Sequence, residues 1–487
     1  MRKIILCAIL FLLLICFGCI STLAAEENDL SYNISNEQVV ITGCKTTASG
    51  ELIIPSVLEG YPVTRIDEGA FSNCTYLTSI VIPDSVMRIS DNAFSDCSGL
   101  TNIIMSKNVT YIGYRAFYNC NGLTSISIPK SVTLVANAAF AGCTSLSRVD
   151  ISDLAAWCRI TFASHHANPL YYAENLYINN SLVENLVIPD SVTSINNHVF
   201  NNSTGLKSVT IPNTVKNIGF ESFENCANIT EIIISPGVTS IGKYAFKDCI
   251  GLTKLSLPDS VTIIDDYAFS NCTNMSSVLL SSRVTKIGKY AFYNCANLLD
   301  INIPNSIRDI GDYAFYNCER LKKAIVNGDI NYISEGLFLS CDSLRFICLP
   351  AEIENIKNAA FSGCASLLDV HYRGTKDAWE SIIIGDNNTP LLDAKIYFTN
   401  APQLIANMSA DGKSFIITPV NIDSGNVVLL ALYKGNAFVK LYDYVYQGEC
   451  VPFTVTEDYD TVKIMVWSNY NSLTPRCNAN SNPTVID

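Results

Sequence analysis

Cysteine and histidine are the residues of this chain that could bind a metal, and their spacing argues against a metal site. The chain has 19 cysteines and four histidines. A zinc site needs three or four ligands at short, fixed spacings, and the one C-x-x-C pair, Cys16 and Cys19, lies in an apolar N-terminal segment. His165 and His166 are adjacent. We expect them in an exposed loop, with a metal or ligand contact as the alternative. The sequence therefore predicts no metal and no cofactor.

Nucleophilic catalysis would require Cys158 to act with His165 or His166. Cys158 follows Trp157 and precedes Ile160, and apolar surroundings of this kind raise the pKa of a thiol instead of activating it. The chain also lacks the G-x-S-x-G, P-loop, H-E-x-x-H and dinucleotide-binding glycine patterns. We therefore predict that the protein is not an enzyme and has no catalytic residues.

Two acidic groups could support other chemistry. Asp265 and Asp266 invite comparison with the paired carboxylates of glycoside hydrolysis, but sibling repeats carry charges of either sign in the same stretch, which favours a solvated turn. Glu457, Asp458 and Asp460 form an acidic group in the C-terminal region. A solvated turn is again favoured for this group over a calcium site.

The N-terminus has the pattern of an export signal. Arg2 and Lys3 precede an apolar run at 4–20, and small residues follow up to Ala25. This order predicts a signal peptide at 1–25, with lipoprotein processing at Cys19 as the alternative. No other stretch is long and apolar enough to span a bilayer. We expect a secreted or cell-surface protein whose mature chain does not insert into the membrane.

The charge balance narrows the choice of partners. The formal net charge is −13, and signal cleavage would remove Arg2 and Lys3 as well. A protein this acidic repels phosphate backbones and anionic lipids, which argues against nucleic acid and membrane surfaces as partners.

The dominant feature of the sequence is a 23-residue period. Twelve phenylalanines mark it, and a cysteine follows three residues after every one of them except Phe200, where Ser203 stands. The phenylalanines are Phe71, Phe94, Phe117, Phe140, Phe200, Phe223, Phe246, Phe269, Phe292, Phe315, Phe338 and Phe361. Such units cannot bury their apolar side chains alone and must stack.

Within one unit, Leu77, Ile80 and Ile82 follow the L-x-x-L-x-L spacing of a leucine-rich-repeat strand. Pro83 should end that strand because proline cannot donate to a sheet. The sequence thus predicts a repeat solenoid, a leucine-rich-repeat array with a parallel β-sheet on one face.

The repeat resembles the BspA-like leucine-rich repeats of bacterial surface proteins. The resemblance covers residues 50–398, beginning at an opening repeat around 52–63, with 26–49 as a lead-in strand or cap. Two longer pieces, an insert at 153–180 and a terminal cap at 370–398, resemble the variant repeats of the same family.

The regular cysteine spacing favours a buried column of reduced thiols, as the family resemblance also implies. Disulfides between adjacent repeats remain the alternative. The column comprises Cys74, Cys97, Cys120, Cys143, Cys226, Cys249, Cys272, Cys295, Cys318, Cys341 and Cys364.

The repeat pattern stops near residue 401, and 401–487 is predicted to form a small, all-β, sandwich-like module with strands at 427–432, 438–442 and 461–467. Cys450 and Cys477 could pair there. Four aromatic residues of this module could stack on sugars or fill its core, and the core is favoured. They are Tyr442, Tyr444, Tyr446 and Trp467.

One residue per repeat strand should point away from the core, because side chains alternate along a strand. This outer column is aliphatic at Ile104, Ile233, Leu279 and Ile325. Exposed aliphatics mark a binding face, although β-branched residues also suit strands for their propensity alone. We predict these four as the binding residues.

The resemblance implies a binding protein that mediates protein–protein interaction or adhesion, with host matrix proteins, other cells or surface polymers as partners and glycans as a further possibility. The alternatives are a carbohydrate-binding accessory protein that acts through the C-terminal module, and a structural surface spacer.

Overall fold

The computed structural model describes residues 25–398 and, beyond them, eight strands between residues 403 and 481. The predicted signal peptide lies outside the described residues except for Ala25. The chain divides into two compact units, Met1–Val183 and Glu184–Asp487. In both, the 23-residue repeats form turns of a parallel β-solenoid, which confirms the predicted fold class.

Each repeat contributes a strand to a first face of the solenoid. Ile80 and Ile82 are buried while Val81 between them is not, as the alternation of a half-buried strand requires. Unit 1 contributes the first-face strands Gly50–Ile53, Leu77–Val81, Asn102–Ile104, Ser125–Ile128, Arg148–Ile151, Leu176–Ile178 and the short Ser181–Leu182. Unit 2 contributes Asn185–Val187, Ser208–Ile211, Glu231–Ile234, Lys254–Ser256, Ser277–Leu279, Asp300–Ile303, Lys323–Val326, Phe346–Leu349, Asp369–Tyr372 and Lys395–Phe398.

A second face carries two-residue strands, and all of them except Ile383–Ile384 end on a buried residue such as Ile89 or Ile112. In unit 1 these are Arg88–Ile89, Tyr111–Ile112, Leu134–Val135 and Thr161–Phe162. In unit 2 they are Ser194–Ile195, Asn217–Ile218, Ser240–Ile241, Ile263–Ile264, Lys286–Ile287, Asp309–Ile310, Tyr332–Ile333, Asn355–Ile356 and Ile383–Ile384. Neighbouring strands are parallel and paired in register on both faces.

The third side has no strands and is built from turns. Its backbone is still bonded from repeat to repeat, as where Phe94 N donates to the Ala116 carbonyl at 2.7 Å. Asn92 and Asp96 have φ of 53° and 60°, a left-handed conformation that asparagine and aspartate tolerate better than most residues. The repeating phenylalanines are fully buried here, with neighbouring ring centroids 4.9–5.2 Å apart in unit 1 and 5.1–5.8 Å apart in unit 2.

The cysteine column lies beside these rings, and its predicted burial is confirmed. From Cys97 onwards, every column thiol donates to the carbonyl of the phenylalanine 26 residues earlier, at 3.0–3.4 Å. The column therefore supplies a small buried side chain and satisfies a carbonyl in each turn.

The N-terminal cap precedes the first repeat. A 3-10 turn at Glu27–Asp29 leads into Leu30–Ser35, which pairs antiparallel with Gln38–Cys44. Gln38–Cys44 then pairs in parallel with Tyr61–Ile66, and Val57–Leu58 folds back on that same strand. The second-face sheet thus begins on a hairpin, which covers the exposed edge of the array.

The two variant pieces share one order of elements. Each contains a short helix, a second-face strand, a second helix and a first-face strand. In the insert the helices are Leu154–Cys158 and Leu170–Ala173, with a 3-10 turn at His165–Ala167 between them. In the cap they are Lys376–Glu380 and Thr389–Asp393.

The described C-terminal strands form two antiparallel sheets. One contains Gln403–Met408, Ser414–Val420 and Val451–Thr454, and the other contains Ala437–Val445, Val427–Lys434, Thr461–Asn469, Ser472–Pro475 and Asn480–Ser481. The three predicted strands fall inside described ones. Several candidates lie outside the described residues, namely Tyr446, Cys450, Glu457, Asp458, Asp460 and Cys477. The side chains of Tyr442, Tyr444 and Trp467 do so as well.

Candidate binding surface

The strand register fixes the outer column of the first face. Val81 pairs with Ile104 in unit 1, and Thr210 pairs with Ile233 in unit 2. Neighbouring parallel strands lie about 4.8 Å apart, so consecutive members of the column are side by side.

Three of the four predicted residues are exposed. The exposed fraction of the side chain is 53% for Ile104, 49% for Ile233 and 44% for Leu279. Their exposure confirms the predicted orientation, while their role in binding stays a prediction.

The prediction that Ile325 is exposed is wrong, because Ile325 is completely buried. The side chains around its place in the register are joined to one another by hydrogen bonds. Asn302 lies opposite Ile325 in the register and accepts a hydrogen bond at 2.7 Å from Asn327, which follows Ile325 by two positions in the chain. Arg373 in turn donates to Asn327. Ile325 therefore leaves the set of candidate binding residues.

The column stays closed beyond Ile325. Cys348, the next member, is only 1% exposed, and the ring of His371 lies 4.7 Å from those of both Phe346 and Tyr397. Burial lowers the pKa of Lys323, on the same face, to about 8. This end of the first face therefore offers packed side chains and not an open surface.

Sequence reasoning missed the most exposed aliphatic of the column in unit 1. Ile53 is 63% exposed and pairs with Val81, which pairs with Ile104. These three residues are adjacent, spanning about 10 Å at the usual strand spacing. The signal was present, since Ile53 lies between the buried Leu52 and Ile54 of the opening repeat.

In unit 2 the exposed aliphatics are interleaved with polar residues. Val187 is 63% exposed and pairs with Thr210, and Thr210 pairs in turn with Ile233. Leu279 pairs with the exposed Ser256. We define the outer-face set as the four large exposed aliphatics Ile53, Ile104, Ile233 and Leu279.

A row of tyrosines on the third side of unit 2 was also missed. Tyr244, Tyr267, Tyr290 and Tyr313 stack with ring centroids 4.8–5.0 Å apart, and all four have left-handed backbones with φ of 55–61°. The signal was a tyrosine directly before Ala-Phe in four successive repeats. Because stacking covers the faces of neighbouring rings, a ligand could contact this row only through the ring edges and the hydroxyl groups.

The expectation of an exposed loop at His165 and His166 is wrong. Both rings are half-buried and pack against Tyr171, with centroids 4.9 Å away. The Tyr172 hydroxyl lies 2.8 Å from His166 Nδ1, and His166 O accepts from the backbone of Phe140 at 3.2 Å. The pair thus takes the place of a third-side turn in the variant repeat. Burial lowers the pKa of His166.

The remaining reactive candidates have structural surroundings. Cys158 is buried, and burial raises its pKa to about 12, as its apolar context predicts. Asp266 accepts from the Lys289 backbone at 2.9 Å and lies 3.7 Å from the Lys243 ammonium. The Asp265 carboxylate accepts from the Asp266 backbone at 2.9 Å. These bonds favour the turn over paired acid and base groups.

Helices within the described part of the chain are short, and none has the length and apolar character needed to cross a bilayer.

Three solved structures of bacterial repeat proteins are similar to this chain. A leucine rich cell surface protein from Faecalibacterium prausnitzii A2-165 is 27% identical over 74% of this chain and 98% of its own, with a TM-score of 0.46. A leucine-rich repeat protein from Bacteroides ovatus is 21% identical over 76% and 98%, with a TM-score of 0.42. The pneumococcal vaccine antigen PcpA is 17% identical over 77% and 98%, with a TM-score of 0.50, and supports the fold alone. Among curated proteins, none matches the chain.

The family comparison covers more of the sequence. A model described as "BspA type Leucine rich repeat region", in six copies, matches residues 61–167, 172–258 and 239–368. These ranges include more than half of the 487 residues, and they contain the phenylalanine and cysteine columns. The chain therefore belongs to the family of proteins built from BspA-type leucine-rich repeats.

Proposed function

We propose that this chain is an exported binding protein that mediates adhesion through the first face of its solenoid. Its partner would be an extracellular protein or a surface polymer, on a host matrix or on other cells. The observation that carries the proposal is the outer-face set, Ile53, Ile104, Ile233 and Leu279, which leaves four large aliphatic side chains in water.

The energetics favour a binding role for such a set. Moving one aliphatic side chain of this size from water to an apolar contact is worth about 1.5–3 kcal/mol. Within each unit, two contacts of this kind would supply about 3–6 kcal/mol, a substantial part of the free energy of a micromolar complex, which is about −8 kcal/mol. In unit 1 the three adjacent side chains at positions 53, 81 and 104 offer one continuous apolar contact.

Two observations support location outside the cytoplasm. The N-terminal segment 1–25 has the charge and hydropathy pattern of a signal peptide. The similar protein from Faecalibacterium prausnitzii is described as a cell surface protein. The net charge of −13 favours neutral or basic partners over nucleic acid and anionic lipid.

A role without catalysis agrees with the chemistry of the described residues. Burial raises the pKa of Cys158 to about 12, which leaves a poor nucleophile. Asp265 and Asp266 are engaged in turn hydrogen bonds. The preformed repeat surface would act through many modest contacts and no chemical step.

The test is binding of the protein to a panel of matrix proteins, mucins, bacterial cells and glycans. The outer-face variant carries Ile53→Lys, Ile104→Lys, Ile233→Lys and Leu279→Lys. Its control carries Ser127→Lys and Ser256→Lys, which place one lysine in each unit, two in place of four, at exposed positions of the same column. We expect the wild type and the serine control to bind, and the outer-face variant to lose binding while it keeps its melting temperature.

Other outcomes point to the alternatives. Binding that survives in the outer-face variant, especially to glycans, would move the site to the C-terminal module. Self-assembly of the wild type without binding to any member of the panel would favour a structural spacer.

A further inference from the structure

Cys44 stands apart from the other described cysteines. The column cysteines recur every 23 residues, but Cys44 precedes Cys74 by 30 and belongs to the cap strand Gln38–Cys44. It is also the one cysteine within 25–398 that is not buried. Packing of the repeats explains the column, and it does not explain this residue.

Cys74, the first member of the column, has different surroundings from its successors. Every later column thiol donates to the carbonyl of a phenylalanine in the preceding repeat, as Cys97 does to Phe71 at 3.0 Å. The turn before Cys74 is the cap, which supplies the Lys45 carbonyl instead, at the longer distance of 3.8 Å.

The same carbonyl also faces Cys44. Cys44 Sγ lies 3.6 Å from Lys45 O, so both sulfur atoms converge on one oxygen, which already accepts from Ala48 N at 3.0 Å. The interaction of the two thiols raises the pKa of Cys44 and lowers that of Cys74. The two thiols are therefore neighbours at the junction of the cap and the first repeat. A disulfide would bring their sulfur atoms to the bonded separation of about 2 Å.

We propose that Cys44 and Cys74 are a modification site, a dithiol that takes up a small-molecule disulfide as its oxidant and becomes a disulfide between the cap and the first repeat. In the first step, the Cys74 thiolate takes the proton of Cys44, the more accessible of the two, and the Cys44 sulfur attacks the external disulfide RSSR. The bond Cys44–S–SR forms, and the RS⁻ that leaves takes the proton back from Cys74 to become RSH. In the second step, the Cys74 thiolate attacks the Cys44 sulfur, the protein disulfide forms and the second RS⁻ leaves.

The balance of this exchange is complete. Two protein thiols are oxidised, one RSSR is reduced, and the two thiol protons end on two RSH molecules. The lowered pKa of Cys74 suits the second step, because the thiolate is the attacking form. Cys74 itself is buried, so the external disulfide reaches the pair through Cys44.

The remaining column cysteines should not react in the native state. Cys97 and Cys120, for example, are fully buried and donate to backbone carbonyls. Burial raises the pKa of Cys97 to about 12, which leaves little thiolate at neutral pH. The reactivity is thus confined to the end of the array, where the cap meets the first repeat.

The cross-link would hold the end of the solenoid closed. It closes a loop of about 30 residues, and a loop of this size stabilises the folded state by restricting the unfolded chain. Terminal units of a repeat array contact a neighbour on one side only, so the cap is where such a restraint has most effect.

The test uses the native full-length protein incubated with oxidised glutathione at pH 8. Remaining thiols are alkylated after denaturation, and the unreduced digest is mapped by mass spectrometry. We expect a cross-linked peptide pair containing Cys44 and Cys74, with the other column cysteines alkylated. A stable glutathione adduct on Cys44 beside an alkylated Cys74, or a link between Cys74 and Cys97, would overturn the proposal.

A second measurement gives the consequence of the cross-link. Oxidation should raise the melting temperature of the cap region by several degrees and slow native alkylation of Cys44 at least tenfold. Cys44→Ser should lose the rise in melting temperature, while Cys158→Ser, which removes a buried cysteine elsewhere, should keep both effects. Equal melting of oxidised and reduced wild-type protein would contradict the proposed restraint.

Discussion

The outer column has an open part and a closed part, although the same repeat position supplies both. In unit 1, Ile53 and Ile104 are more than half exposed. Near the end of the array in unit 2, Ile325 and Cys348 are buried. Both pairs lie on parallel strands with the same alternation. Strand geometry therefore fixes the direction of a side chain, and the side chains around it decide whether water reaches it.

The largest expected effect comes from placing a lysine at a buried position of the outer column and, separately, at an exposed one. Ile325→Lys should lower the free energy of unfolding by about 3 kcal/mol or more, because an ammonium would be buried without a designed partner. Ile104→Lys should change it by less than about 0.5 kcal/mol, as is usual for an exposed site. Urea unfolding followed by circular dichroism measures both. Equal losses would mean that the contrast between the two parts of the column is wrong.

The second prediction concerns the pH dependence of the closed part. Burial holds the pKa of Lys323 at about 8, below the value of about 10.4 for an unfolded chain. Between these values the unfolded chain binds more protons, so this group stabilises the fold increasingly as the pH rises. From pH 7.5 to 9.5 its contribution should grow by about 1–2 kcal/mol.

The measurement is the difference in unfolding free energy between wild type and Lys323→Met at the two pH values. Buried thiols titrate in both proteins and cancel in this difference. Lys254 occupies the same repeat position and is exposed, so Lys254→Met is the matched control and should keep the wild-type pH dependence. If Lys323→Met kept the wild-type pH dependence of the unfolding free energy, Lys323 could not be its source.

A smaller effect on the free energy of unfolding is expected in the tyrosine row, where tyrosines at the same repeat position have different hydrogen-bond partners. Tyr313 donates to Glu335 at 2.7 Å, and this bond raises the pKa of Tyr313 to about 12. Tyr313→Phe should cost about 0.5–1.5 kcal/mol, the usual net value of a hydrogen bond, whereas Tyr290→Phe keeps its stacked ring and should cost less. Thermal unfolding of the two variants compares them, and an equal cost would count against the role of Glu335.

The repeat and its core could be predicted from sequence because they depend on local period. The positions of Phe94, Cys97 and Ile80 recur at fixed spacing, with aliphatic residues at the Ile80 position and Ser203 once in place of the cysteine. Stacking of such units leaves few ways to bury them. The same spacing predicted the orientation of Ile104, Ile233 and Leu279.

The errors arise where the outcome depends on residues distant in sequence. Ile325 is buried close to a hydrogen-bonded group that includes Arg373, 48 positions later in the chain. His165 and His166 looked like loop residues because the insert breaks the period, and only the fold shows that they replace a third-side turn. The cap contact of Cys44 with Cys74 also falls outside the 23-residue spacing, so periodicity gave no indication of it.

Binding through the first face can be tested by comparing the exposed aliphatic residues of the outer column with exposed serines of the same column. Dissociation constants for the partner found in the binding panel are measured for Ile53→Lys/Ile104→Lys, for Ile233→Lys/Leu279→Lys and for the control Ser127→Lys/Ser256→Lys. We expect at least a tenfold loss of affinity for one or both aliphatic pairs and less than a twofold change for the serine pair, with unchanged melting temperatures. Equal affinities in all three variants would contradict binding through the first face.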